Sequence, residues 1–356
     1  MSSDTARLVF FENWVDPVAE RLLSANPDVD LHKLTHDASR DVCEQAMRVA
    51  DGYQILPRVE LRAPWEADAS LIGRYPNLLA ICSTGSGYDV IDVDACTGAG
   101  IIVCNQAGAN AQAVAEHAVG LMLALTKKIV SLDRAVHRPQ PVERTQHPGV
   151  NIASKTVGIV GLGHIGRRTA QICKAGFGMR VLAYDPYLPK DEIARRGAEQ
   201  VDFDTLLAES DFICVHCPRT NETMDMFATD QFAAMQDHAF FINTARGGIH
   251  DEDALSAALQ TSAIAGAGLD VFVEEPPSAD HPLMQHDNVI ATPHSAGMTS
   301  ESLHDMSVAA ATQWADIFAG KVPPRLINPQ VWPNYSRRFQ EQFGFAPSPL
   351  PDGSPS

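Results

Sequence analysis

The sequence predicts an α/β protein with two doubly wound parallel sheets, and three observations carry that expectation. Its 356 residues exceed one ordinary core, so two domains are expected. Two separate series of short apolar runs alternate with amphipathic stretches, as parallel strands covered by helices on both faces do. In the second series successive runs start 24 to 30 residues apart, the length of one strand plus one helix.

The first series begins with RLVFFE at Arg7 and a helix from Pro17, then VDLHKL at Val29 and a helix over Val42 to Val49. GYQIL at Gly52 precedes a helical stretch from Pro64 to Tyr75, and NLLAICS, a short helix near Val93 and IIVCN complete a five-strand set. From Asn110 to about Val136 one long helical segment is expected. Its part from Val114 to Leu125 is apolar on almost every side and must be buried, in the core or under a second subunit.

The second series comprises TVGIVG, VLAYD, DFICVHC, AFFINTA, AIAGAGLDV and NVIATP, which predicts a six-stranded sheet. Asp204 and Asp251 stand as helix-start signals before TLLAES and EDALSAAL. After His294 one long helix runs to about Gly320, with Met298, Leu303, Met306, Val308 and Trp314 as its apolar positions. From Phe343 the chain is rich in Pro, Ser and Gly and reads as a tail.

Composition narrows the function. A hydrophobic content of 45% with 20% charged residues marks a soluble globular chain. Its longest apolar stretch, Ala118 to Leu125, is far short of the roughly 20 residues of a membrane span. The start of the chain does not resemble a secretion signal, so a cytoplasmic location is expected. A net charge of −17 would repel a phosphate backbone, which argues against nucleic acid as a partner. Seven dispersed cysteines do not make a disulfide framework and read as reduced. Cys214 and Cys217 have CxxC spacing, but in a strand they point to opposite faces, so no metal is expected.

Gly161-Leu162-Gly163-His164-Ile165-Gly166 matches GxGxxG. The strand TVGIV precedes it, a helix follows, and Asp185 closes the next strand about twenty residues on, the context of a Rossmann dinucleotide site. The glycines let the backbone approach a pyrophosphate, held at the helix N-terminus. Asp185 can bond ribose hydroxyls and would repel a 2′-phosphate, and Pro186 rather than an Arg follows it. NAD is therefore favoured over NADP.

Three further segments place ionisable residues at C-terminal strand ends, where open parallel sheets bind ligands. NTARGG carries Arg246, LDVFVEEPP carries Asp270 and Glu275, and TPHSAG carries His294. Each also has an ordinary structural reading: an Arg capping a turn, a solvated loop Glu, a His bonded to a nearby carbonyl.

On these residues the chain resembles the D-isomer-specific 2-hydroxyacid dehydrogenase family, over roughly Leu8 to Trp332. The resemblance is specific in the Gly loop, in NTARGGIHDEDAL, in GLDVFVEEPP and in TPHSAG. It implies a Rossmann cofactor domain inserted into a flavodoxin-like substrate domain. Residues 1–105 would form the first part of the substrate domain, 106–294 the NAD-binding domain, 295–332 a returning helix and 333–356 a C-terminal tail.

The resemblance assigns Arg246, Glu275 and His294 to the active site, and the chemistry suits them. Reducing a 2-oxo acid builds negative charge on the carbonyl oxygen, so a proton donor and a fixed cation are needed. An imidazole titrates in the range where enzymes work, which suits His294 as the donor. Glu275 can hold the imidazolium and fix its tautomer. The planar fork of Arg246 matches a carboxylate and can polarise the ketone.

The resemblance also places the backbone of Ser83–Asp89, with Ser86 and Gly87, against the substrate carboxylate. It sets His164 and Ile165 at the pyrophosphate, Pro218 on the adenosine side, Asp270 at the nicotinamide amide, and Ala245 among the cofactor contacts. Tyr53, Leu56, Arg58 and Tyr88 are the first-domain residues expected to set substrate choice, with Arg58 facing the cleft. Three positions depart from the family pattern: Arg219, which could attract a 2′-phosphate, His250 in place of a small apolar residue, and Ser154 where Gly is common.

The expected activity is NAD-dependent hydride transfer to or from a small 2-hydroxy/2-oxo acid, glyoxylate and hydroxypyruvate favoured, in a homodimer. Phosphoglycerate oxidation is the alternative within the family. A dinucleotide-sensing corepressor is the alternative outside enzymology, because corepressors that resemble this family keep the same three residues.

Overall fold

The computed structural model describes residues 5–56, 61–139 and 142–351. The chain divides into two units, Met1–Asn110 with Ser300–Ser356, and Ala111–Thr299.

In the first unit β1 (Ala6–Phe11), β2 (Val29–Leu34), β3 (Gly52–Ile55), β4 (Ala80–Ser83) and β5 (Ile102–Cys104) form a parallel sheet in the order β2-β1-β3-β4-β5. Every residue of β3, β4 and β5 is buried, which is why these segments do not alternate apolar with polar. α1 (Val18–Ser24), α2 (Arg40–Arg48), α3 (Ala69–Arg74) and α4 (Val93–Ala99) connect the strands. The helix expected from Pro64 begins only at Ala69, where the Asp68 carboxylate accepts the Leu71 N–H and caps the first turn.

The second unit opens with α5 (Ala111–Thr126) and α6 (Ile129–Val136). The single long helix expected here is broken. Lys128 adopts φ 53°, and the Thr126 carbonyl accepts the Val150 N–H at 2.9 Å instead of continuing the helix. Val114, Ala118, Leu121, Met122 and Leu125 of α5 are buried, whereas α6 has no buried residue.

A seven-stranded parallel sheet follows, built from β6 (Thr156–Val160), β7 (Arg180–Tyr184), β8 (Glu199–Gln200), β9 (Phe212–Val215), β10 (Phe240–Asn243), β11 (Gly266–Leu269) and β12 (Val289–Ala291). Its order is β12-β11-β10-β9-β6-β7-β8. Six strands were expected; the extra one, β8, is a two-residue exposed edge paired to β7, too short to show a pattern. α7 (His164–Phe177), α8 (Lys190–Arg195), α9 (Phe203–Glu209), α10 (Thr229–Ala234) and α11 (Glu252–Gln260) fill the crossovers. Asp251 caps α11 as expected, but α9 is capped by Asp202, which leaves Asp204 in its first turn. The chain reverses direction across the sheet between β6 and β9, so the loops after these strands flank a topological switch point.

The C-terminal chain returns to the first unit as α12 (Ser300–Phe318) and α13 (Trp332–Phe343). Met306 and Trp314 of α12 are buried, Leu303 and Val308 half-buried, but Met298 lies before the helix and is exposed. The expected tail from residue 333 is corrected too: Tyr335 and Phe339 of α13 are fully buried with Trp314, Leu8 and Phe10, and Arg338 donates to the carbonyls of Pro76, Leu78, Ala99 and Gly100. A polar sequence hid this helix because its apolar residues are aromatics spaced along one face. No described helix is long and apolar enough to cross a membrane.

Candidate active site

The loop after β6 is shaped for a dinucleotide. Gly161 has φ 88°, and a Cβ there would stand 2.7 Å from the backbone nitrogen of Cys217, in the loop after β9. Only glycine lets these two loops touch across the switch point. Gly166 is as crowded, since its Cβ would lie 2.1 Å from the Gly161 carbonyl oxygen. Gly163 is the opposite case: nothing lies within 4 Å of a Cβ there, and as the N-cap of α7 it leaves the first-turn N–H groups without a side-chain cap. Open room in front of uncapped donors fits a pyrophosphate. His164 is exposed at the first position of that helix and Ile165 is half-buried behind it.

Asp185 lies beside this loop. Its Oδ2 accepts the Leu162 N–H at 2.9 Å and its Oδ1 the Tyr187 N–H at 3.1 Å. Two backbone donors aim the carboxylate, which suits ribose hydroxyls and opposes a phosphate. Pro218 is exposed past β9. Arg219 leans toward the loop after β10, with its Nη1 3.4 Å from the Gly247 carbonyl, on the far side of β9 from the strand that ends at Asp185. His216 follows β9 with both ring nitrogens buried and unbonded, and burial pushes it down to about 3, so it is neutral.

The acid–base pair lies along the same sheet edge. His294 Nδ1 is 2.8 Å from Glu275 Oε2, and Glu275 Oε1 accepts the Phe272 N–H at 3.0 Å. Glu275 is thereby gripped at both oxygens, and His294 keeps its Nε2 out of that contact on a ring about one-third exposed. His294 has φ 53°, an unusual conformation for a residue with a side chain, and its N–H donates to the Asp270 carbonyl at 2.8 Å.

Asp270 is fully buried, and its carboxylate accepts from Thr292 Oγ1 at 2.6 Å, Ser295 N–H at 2.8 Å and Ala296 N–H at 2.9 Å. It therefore ties the loop carrying His294 to the end of β11. His117 of α5 adds a contact to Thr292 Oγ1 at 3.0 Å.

Arg246 follows β10, half-buried, and donates to the Ala245 carbonyl at 2.7 Å. Its turn is braced by Asn243, whose amide donates to the Arg246 carbonyl and to His250 Nδ1, both at 3.0 Å, while its Oδ1 accepts the Ala245 N–H at 2.9 Å. Burial holds His250 at about 4, which keeps Nδ1 free to accept. The departure at His250 thus has a partner. Ser154 departs from glycine yet keeps φ 61°, the backbone shape glycine adopts freely.

In the first unit the loop from Ser83 to Asp89 is braced from behind. Ser83 Oγ donates to the Gly87 carbonyl, Asn105 Nδ2 to the Ser86 carbonyl and Ser86 Oγ to Asn110 Oδ1, each at 2.7 Å. The backbone N–H groups of Ser86 and Gly87 donate to no group among the described residues. Tyr53, expected in a pocket, is instead a core residue: it is 1% exposed, its hydroxyl bonds the Trp65 carbonyl, and burial pushes the phenol up. Leu56 and Tyr88 are half-buried, and Arg58 lies outside the described residues.

The sequence brought attention to every group of the acid–base pair and the Gly loop, but not to the supports Asn243, Thr292 and His117. Asn243 had a signal, an Asn ending a strand before a Gly-rich turn. The others had none, because their partners lie far along the chain.

A doubly wound sheet with a Gly-rich loop at its switch point and an acid–base pair on the same edge defines a dinucleotide-binding protein. Comparison with known proteins narrows this. Residues 119–296 match the model of the D-isomer specific 2-hydroxyacid dehydrogenase, NAD binding domain. The D-3-phosphoglycerate dehydrogenase of Archaeoglobus fulgidus is 40% identical over 82% of this chain and 54% of its own length. The glyoxylate/hydroxypyruvate reductase B of Salmonella gallinarum is 38% identical over 76% of this chain and 84% of its own. The chain spans 54% and 62% of two phosphoglycerate dehydrogenases that it matches. Among solved structures, holo D-mandelate dehydrogenase of Rhodotorula graminis superposes with a TM-score of 0.81 at 25% identity, over 90% of this chain and 97% of that one. D-lactate dehydrogenase of Aquifex aeolicus, complexed with NAD and lactic acid, gives 0.74 at 27% identity, over 88% and 96%. This chain belongs to the D-isomer specific 2-hydroxyacid dehydrogenase family.

Proposed function

We propose that the protein is an NAD-dependent oxidoreductase acting on small D-2-hydroxy/2-oxo acids, with glyoxylate and hydroxypyruvate its favoured substrates. The observation that carries this reading is the His294–Glu275 pair at 2.8 Å, on the sheet edge that also bears the open N-terminus of α7. Bound NADH supplies the hydride. Glu275 holds Nδ1 and leaves His294 Nε2 to give a proton to the forming alkoxide or to take it back in the oxidation. Arg246 holds the substrate carboxylate and polarises the carbonyl. In the first unit the N–H groups of Ser86 and Gly87 suit a carboxylate by themselves. Gly161, Gly163, His164, Ile165 and Gly166 receive the pyrophosphate, Asp185 the ribose, Pro218 the adenosine, and Ala245 and Asp270 the nicotinamide end.

Preference for an uncharged tail rests on charge. The loop from Ser83 to Asp89 holds no Lys or Arg, and a phosphate needs more than one charged donor to offset its desolvation. The phosphoglycerate dehydrogenases at up to 40% identity favour a second reading, phosphoglycerate oxidation. Turnover of NADH with glyoxylate, hydroxypyruvate and phosphohydroxypyruvate at fixed ionic strength separates them: we expect higher kcat/KM on the first two. A preference for the phosphorylated acid, lost in Arg58→Ala, selects the second, and no turnover on any of them overturns the enzyme reading.

A homodimer is part of the proposal. Ile129 and Val136 are 55% and 64% exposed on α6, a helix with no buried residue, and a second copy covering this face accounts for their apolar character. Seven free cysteines, six of them buried, fit a reducing cytoplasmic setting.

A further inference from the structure

The peptide joining Phe272 to Val273 is the point at which the two active-site loops meet. A Cβ on Gly247, the residue after Arg246, would lie 2.0 Å from the Phe272 carbonyl oxygen and 2.5 Å from the Val273 nitrogen, so the Arg246 turn rests directly on this peptide. On one side the Phe272 N–H is held by Glu275 Oε1 at 3.0 Å. On the other, the Val273 N–H donates at 2.8 Å to Oε1 of Glu252, in the first turn of α11.

Glu252 is itself oriented. Its Oε2 lies 3.2 Å from His281 Nε2, and His281 Nδ1 accepts the Leu283 N–H at 3.3 Å. That backbone donor places the ring hydrogen on Nε2, where it points at the carboxylate. The His281 ring also packs edge-on against Phe272, with centroids 5.8 Å apart. Both side chains are mostly buried, at 17% and 16% exposure, which shields the Glu252–His281 contact, while the bond to the Val273 N–H lies at the surface.

We propose that Glu252 and His281 are a positioning pair for the reaction, which clamps the Phe272–Val273 peptide and thereby holds the Arg246 turn and the Glu275–His294 pair in register. The proposal rests on the dehydrogenase reading above. Neither side chain touches the reacting atoms; both act through that one peptide, whose displacement moves the cation and the proton donor at once. Catalytic geometry is sensitive at the scale of an ångström, so loosening the clamp costs turnover far more than cofactor binding, most of whose proposed contacts lie in the loops after β6, β7 and β9.

The test uses the full-length chain with Glu252→Ala, Glu252→Gln and His281→Phe. Glu252→Ala is expected to lower kcat for 2-oxo acid reduction by roughly 10–100-fold and to raise KM for the acid, with the NADH dissociation constant within about twofold of wild type. Glu252→Gln keeps an acceptor for the Val273 N–H and should restore most of the loss. His281→Phe keeps the ring against Phe272 and should fall between. Hydrogen–deuterium exchange of the 271–276 segment reads the clamp without turnover, and Glu252→Ala should speed it. Wild-type kinetics in both Glu252→Ala and His281→Phe, or unchanged exchange in that segment, overturns the proposal. If Glu252→Ala does not fold, His281→Phe against Glu252→Gln decides by the same criteria. A wild-type protein inert toward every 2-oxo acid sinks the dehydrogenase reading instead, and exchange alone then judges the clamp.

Discussion

The loops after β6 and β11 sit on one sheet edge and acquire their shapes by opposite means. At the β6 end the shape comes from atoms that are missing: Gly161 and Gly166 allow backbones to touch, and Gly163 leaves space before an uncapped helix. At the β11 end it comes from saturated carboxylates, with Glu275, Asp270 and Glu252 each taking backbone N–H groups that shape the turns carrying Glu275 and His294. A surface that must receive a large anion is built by leaving room and donors. A surface that must hold a proton donor in one orientation is built by tying carboxylates to nearby backbone N–H groups. Damage to the two ends should therefore show in different measurements.

The largest expected effect is at the acid–base end. His294→Asn should lower turnover by roughly the 10²–10⁴ of a lost general acid, with NADH affinity nearly intact by fluorescence titration. Turnover close to wild type would remove His294 from its role and break the contrast.

At the other end Gly161→Ala and Gly163→Ala should separate. The first puts a methyl into the Cys217 backbone at a left-handed position and should destabilise the whole unit, read as a fall in Tm. The second meets nothing in the protein, so Tm should stay while NADH binding weakens. Equal Tm values for the two variants would show that the loops after β6 and β9 give way.

Asp185→Ser should narrow the preference for NADH over NADPH without changing the pH behaviour of turnover. Arg219 leans toward Gly247 rather than toward the strand that ends at Asp185, so it should not by itself admit NADPH. A wild type that uses both cofactors equally would reverse that assignment.

The smallest effect is on acid stability. His250 is neutral in the fold, held at about 4 by burial, but protonates near 6.5 once unfolded. Between those values the unfolded state binds the extra proton, so this residue's contribution is complete above about 6.5 and fades as pH falls toward 4. His250→Val should flatten the slope of Tm against pH across that window. An unchanged slope would assign the window to other groups, His216 first among them, whose lowered value of about 3 gives the same sign.

Both parallel sheets were legible because fully buried strands must be apolar along their length and recur at the spacing of one helix. The Gly loop and Asp185 were legible because a phosphate-binding turn needs its residues at short fixed spacings. Chain interruptions were less so. Nothing local marks Thr126 as the end of α5, since its carbonyl, which would otherwise continue the helix, is claimed by the Val150 N–H more than twenty residues on. Tyr53 looked like a pocket residue and α13 like a tail for a related reason: whether an aromatic faces a ligand or a core depends on what packs over it, and Trp65 and the β1 strand supply that cover.

Within the site, the sequence by itself determined the chemistry we propose: the types of Arg246, Glu275 and His294 match the charges and protons that hydride transfer to a 2-oxo acid would have them handle. Tertiary structure alone decided how they are held. Glu252 and Val273, Asp270 and Ala296, Asn243 and Arg246 are joined by hydrogen bonds to backbone, and a backbone N–H or carbonyl is the same at every residue, so no residue type can announce which one a distant carboxylate or amide will hold.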